Sequence, residues 1–146
     1  MNDPYNLERF ATAQDAGETY ASAVAELRLG RKIGHWMWFV FPQIAGLGMS
    51  SMSRRYAIAS LDDARRYLAH PILGERLEEC ARILTELDGR SAHDIFGSID
   101  AMKLRSSMTL FARAAPGDTL FSEVLDRYFG GVADEATDAR LAPPPA

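Results

Sequence analysis

Apolar residues recur along this chain at three- and four-residue spacings, the period of an α-helix with one face turned inward. The cleanest stripe is Leu73, Leu77, Cys80, Leu84 and Leu87, spaced four, three, four and three. It predicts a helix over 71–87, with Gly89 closing it and Pro71 suiting its first turn. His70, ahead of that proline, resists the α region, so an earlier helix over 61–68 must end there. Ser60-Leu61-Asp62-Asp63 opens that earlier helix as a near capping box, with Leu61, Ala64 and Leu68 inward.

The same reading extends to both sides. Asn6 is expected to cap a short helix that ends near Gln14, and a second helix runs from about Glu18 to Leu29 with Gly30 as its C-terminal cap. Ser50 to Ala59 holds another helical turn or two. Ser91-Ala92-His93-Asp94 repeats the capping pattern before a turn at Phe96-Gly97, and Ser98 starts a helix burying Ala101, Leu104, Met108, Phe111 and Ala115. After Pro116-Gly117, Asp118 caps a helix over 118–129. The expectation is an all-α fold of six to seven helices in a single domain over 1–131, in which 61–68 pairs with 71–87 and 99–115 with 118–129. Residues 132–146, ending in Pro143-Pro144-Pro145, lack a sufficient apolar face and read as a mobile tail.

One segment breaks the periodic pattern. His35-Trp36-Met37-Trp38-Phe39-Val40-Phe41-Pro42-Gln43 holds both tryptophans of the chain. Its single β-branched residue, Val40, favours a short buried helix or an extended core segment over a strand. So much apolar area belongs either to the core or to the wall of a pocket. Gly46 and Gly48 mark the turn that follows.

Composition narrows the function classes. A formal charge of −4 on 146 residues argues against a DNA- or RNA-binding protein, whose footprint is basic. The one cysteine, Cys80, excludes an internal disulfide and a cysteine metal cluster, and fits a reducing, cytoplasmic setting. No basic region leads into an apolar stretch at the start, so no signal peptide is expected. The longest apolar run, Trp36 to Phe41, is too short to cross a membrane. His35, His70 and His93 are too widely spaced for a metal site, and no cofactor is implied.

Two constellations carry candidate chemistry. An aromatic wall with Trp36 and Trp38, rimmed by His35 and Gln43, suits a planar ligand. In Lys103-Leu104-Arg105-Ser106-Ser107, a 100° step per residue sets Lys103 and Ser107 on one flank, Ser106 further round and Arg105 on the opposite flank. Lys103 and Ser107 can then meet one anion, unless Ser107 bonds back to the Lys103 carbonyl. Gly46-Leu47-Gly48-Met49-Ser50-Ser51 ahead of Arg54 matches neither phosphate-loop fingerprint, but a glycine-serine loop before a basic turn can hold an anion through backbone amides.

Tyr5-Asn6-Leu7-Glu8-Arg9-Phe10, the segment 35–43 with Gly46-Leu47-Gly48, and Tyr56-Ala57-Ile58 resemble a bacterial family of unknown function, some of whose members carry the label "calpastatin". So do Ile95-Phe96-Gly97, Asp100 and the run Lys103 to Phe111, and the resemblance extends to Gly131. It implies a multi-helical domain similar to armadillo-type or α-horseshoe architectures, and no reaction. The label does not suit the composition, because calpastatin-type inhibitors are long, mostly disordered repeat chains.

The reading that best unites these features is a helical binding module for a small anionic ligand or an acidic peptide. Its groove would lie near 35–43 and 103–107, with His35, Trp36, Trp38, Gln43, Arg54, Lys103, Arg105, Ser106 and Ser107 as candidate contacts. One alternative is an enzyme acting on a nucleotide-like or phosphorylated substrate, with His35 as general acid or base and Lys103 and Arg105 stabilising charge. Another is a scaffold for a protein partner. All three need the two motifs to share one concavity.

Overall fold

The computed structural model describes residues 3–142 and contains nine α-helices among them: α1 (Glu8–Asp15), α2 (Thr19–Leu29), α3 (Met37–Val40), α4 (Ser51–Arg55), α5 (Leu61–Ala69), α6 (Leu73–Glu86), α7 (Ala92–Ala114), α8 (Leu120–Phe129) and α9 (Glu135–Leu141). The two expected hairpins are present and stacked. Helix α5 packs on α6 and α7 on α8, while α5 also lies on α7 and α6 on α8. Helix α2 covers α6, α1 joins α2 to α3, and α9 lies on α7.

Local chemistry explains most boundaries. The Ser60 hydroxyl accepts from the Asp63 amide at 3.2 Å, and Ser91 and Asp94 form a reciprocal capping box. His70 does more than end α5: its Nδ1 accepts from the Ile72 and Leu73 amides, so the ring caps α6, which begins at Leu73 instead of Pro71. At the chain start the capping oxygen is that of Asp3, which accepts from Leu7 and Glu8 amides, while Asn6 sits in the left-handed region. The expected turn at Phe96-Gly97 is a kink within α7, where Gly97 adopts φ 76°.

Two features depart from the sequence reading. Where composition reads as a mobile tail, Asp134 caps α9 through its side chain, and Thr137 is fully buried against the bundle. The four residues after Ala142 lie outside the described region. Second, Ala57–Ala59 is not helical: Ile58 forms an isolated parallel bridge with Ile44, through Ala45 N–H to Ile58 O and Ile58 N–H to Gln43 O, each 2.8 Å.

An aromatic chain runs through the core. Phe121 meets Phe111, Phe111 meets Tyr67, Tyr67 meets Phe10, and Phe10 meets Tyr56, with centroids 5.2–5.9 Å apart. Tyr56 then meets Phe39 of α3 at 5.3 Å. The bundle interior is thus continuous with the segment that carries the tryptophans. Buried Gln14 strengthens the junction, donating to the Phe39 carbonyl at 2.7 Å and accepting from Arg76 at 3.1 Å.

Candidate functional site

The geometry begins at Arg9 on α1. Its guanidinium donates to the carbonyls of Tyr5, Asn6, Arg55 and Ala57, and so binds the start of the chain to the segment after α4. Together with the Ile44–Ile58 bridge, this clamp sets Gln43–Gly46 beside Tyr56-Ala57. Between those strips and α4 opens a cleft of about 320 Å³, whose walls include Trp38, Gln43, Ser53, Arg54 and Tyr56. Its volume is near the lower end for small-ligand sites.

A second cleft of about 270 Å³ adjoins the first and shares Gln43, Gly48 and Ser53 with it. Its other side is built by Ile99, Met102, Lys103 and Ser106 of α7, with Asp134 and Ala136 at its far margin. Gly48 is confined here by contact, since a Cβ on it would collide with the Ser53 side chain.

Charge in this region is organised around Asp100. Its carboxylate lies 2.8 Å from Lys32 and 3.2 Å from Lys103, so one negative charge is shared by two positive ones. Burial pushes the Asp100 carboxyl upward, but the hydrogen bonds and charges of Lys32 and Lys103 outweigh it and hold it below the usual carboxylate range. Each ammonium also faces an indole: Lys103 Nζ is 4.9 Å from the Trp38 ring and Lys32 Nζ is 5.2 Å from that of Trp36. Arg54 has no ion-pair partner among the described residues. The Asp134 carboxylate accepts from Thr137 N–H, Thr137 Oγ1 and Ser106 Oγ at 2.5–3.1 Å, all three on Oδ2.

Five of the residues singled out from sequence therefore gather here: Trp38, Gln43, Arg54, Lys103 and Ser106. The others lie elsewhere. His35 is exposed and is not among the residues lining either cleft. Trp36 is a core residue whose indole N–H donates to Glu26 at 3.0 Å, an anchor that also receives the Ile33 and Gly34 amides. Arg105 donates to the carbonyls of Val132 and Ala133 and tethers the chain ahead of α9. Ser107 is fully buried and its hydroxyl has no partner, so it neither faces the anion flank with Lys103 nor bonds back to the Lys103 carbonyl. Helix α7 is covered by α5, α8 and α9, which sinks residues that a single-stripe helix would leave at its margin.

Sequence reasoning missed Asp100, Ser53, Tyr56 and Asp134 as parts of this region. Asp100 stands three residues before Lys103, a spacing that sets the two on adjacent turns. Asp134 carries the ordinary signature of a helix cap, obscured by the proline-rich composition behind it. Among the described residues no group of three or more histidine, cysteine or acidic side chains is placed to hold a metal ion. Cys80 is wholly buried, and burial pushes its thiol up to about 12, which makes it an inert core residue.

The motifs that meet at these clefts run through most of the chain, and so does one family model. Described as "Protein of unknown function (DUF1810)", it matches residues 4–141. The chain belongs to that family. A solved structure, the conserved hypothetical protein Rv1873 from Mycobacterium tuberculosis, is 52% identical and superposes with a TM-score of 0.93, covering 97% of this chain and 99% of its own. No curated protein matches. The DUF1810 fold is thus all-helical in this chain, with α9 as part of it, since the family match runs to 141. Among the described residues, no helix is long and apolar enough to cross a membrane.

Proposed function

We propose that this protein is a helical binding module that recognises an anion at the paired clefts between the tryptophan segment and α7. The observation that carries the reading is the Lys103 ammonium 4.9 Å from the Trp38 ring, which joins two motifs more than sixty residues apart in sequence. Two facts support an anionic ligand: Arg54 is unpaired among the described residues, and one carboxylate serves both Lys32 and Lys103. Indole and phenol walls from Trp38 and Tyr56 add an apolar surface for the ligand's body. No imidazole or thiol lines either cleft, so the enzyme alternative, which relied on His35, draws no support from this arrangement. The net charge of −4 speaks against nucleic acid as the partner, and the buried single thiol suits a reducing cytoplasm.

The test is a thermal-shift titration with millimolar inorganic phosphate, pyrophosphate and AMP. A ligand that binds only the folded state raises the melting temperature as its concentration passes the dissociation constant. At least one of these anions should do so. Arg54→Gln should weaken that protection roughly tenfold while leaving the unliganded melting point within about a degree, since Arg54 is exposed. Absence of any anion-dependent shift, or an undiminished one in the variant, removes this reading.

A further inference from the structure

We infer that the occupant is an acidic peptide segment bound in extended form, with a carboxylate side chain in the Arg54 cleft and an apolar side chain two residues away in the Met102 cleft. The inference rests on the anion-binding reading above and adds the class of partner and its register. Its first support is the division of the site into two pits that share Gln43, Gly48 and Ser53. In an extended chain, residues i and i+2 point the same way about 6.5–7 Å apart. Neighbouring pits with a common wall suit such a pair, whereas a compact ligand fills one and leaves the other in water.

The rim supplies a second argument. Met49, Ile99 and Met102 are 77%, 73% and 71% exposed, although each belongs to the lining of one cleft. A molecule confined to one pit covers either Met49 or the pair Ile99 and Met102, whereas a chain laid across both covers all three. Methionine is the adaptable residue for that purpose, because its unbranched side chain repacks around different contours.

Charge supplies the third. The chain is acidic overall, yet the charged residues lining the two pits are two cations, Arg54 and Lys103, against the single carboxylate of Asp134. Local charge opposite in sign to that of the whole molecule steers an acidic partner to this face. An unpaired arginine in one pit, against Leu47, Ile99 and Met102 beside a Lys103 already paired with Asp100 in the other, specifies different side chains at the two positions, which is how peptide grooves encode sequence.

The experiment is selection from a displayed library of random decapeptides on the immobilised 146-residue chain. Enriched sequences should carry Asp or Glu two residues from Leu, Ile, Met or Phe. A synthetic consensus peptide, followed by fluorescence anisotropy, should bind roughly tenfold or more weakly to Arg54→Glu and to Met102→Asp. Both positions are exposed, so neither substitution threatens folding, and Arg82→Ala on α6 should leave affinity unchanged. No enrichment, a consensus without that spacing, or binding indifferent to both substitutions overturns the inference. Should small anions protect the protein through Arg54 while no peptide is selected, the anion site stands and the peptide falls. Failure of both arms removes both.

Discussion

Asp100 illustrates how one side chain can set the electrostatics of a surface. Its carboxylate joins the loop carrying Lys32 to α7, and it keeps the Lys103 ammonium beside the Trp38 face. Because the two lysines hold its folded pKa below that of the unfolded chain, the stabilisation is fully present above the unfolded value and is lost as pH falls through the folded one. Asp100→Asn should therefore cost about 1.5–3 kcal/mol at neutral pH, the range for hydrogen bonds to charged groups. Urea denaturation at neutral pH and at a pH well below the ordinary carboxylate range should show the gap between the two proteins closing on acidification. An equal gap at both pH values would show that the residue acts through packing instead. The same variant releases Lys103 from its partner, so anion protection in Asp100→Asn should be at least as strong as in the parent.

At the scale of elements, the hairpins are the readable part of this protein. The stripe ending at Leu87, the serine caps at 60 and 91 and the His70-Pro71 break are local signals, and α5 to α8 follow them closely. The lack of a side chain at Gly74 lets α5 and α6 come together, for a Cβ there would strike the Leu68 carbonyl. Backbone cannot yield as a side-chain tip does. Gly74→Ala should destabilise the protein by about 1–3 kcal/mol despite the better helix propensity of alanine, measurable by chemical denaturation. What was not legible depends on contacts distant in sequence. The depth of Ser107 follows from three helices enclosing α7, a fact absent from any one helical wheel. The separation of Trp36 from Trp38 follows from Glu26, ten residues away, which draws one indole into the core. Composition misled at α9 because the decisive groups, Thr109 and Ser106, lie on α7.

Across the whole molecule, α9 completes the second cleft and is fastened largely by polar ties. Asp134 N–H donates to Thr109, Arg113 grips Asp138 with two bonds of 2.9 and 3.0 Å, and Arg140 reaches the Gly46 carbonyl beside the first cleft. Asp134→Ala removes the cap and the acceptor for Ser106 together. It should lower stability by about 0.5–2 kcal/mol, the usual cost of a lost cap. Amide exchange over 135–141 should quicken while α5 to α8 remain protected, because this segment opens below the global unfolding free energy. Uniform acceleration across all helices would instead make α9 part of the cooperative core.

The dependence of the second cleft on α9 couples occupancy to the lifting of that helix. Asp134 and Ala136 supply one margin of the second pit from a segment that lies on α7, while the lining of the first pit comes from residues 38–57. When α9 lifts, the first pit keeps its lining and the second loses a side. A partner that fills both therefore acts as a latch, holding the segment down for as long as it stays bound.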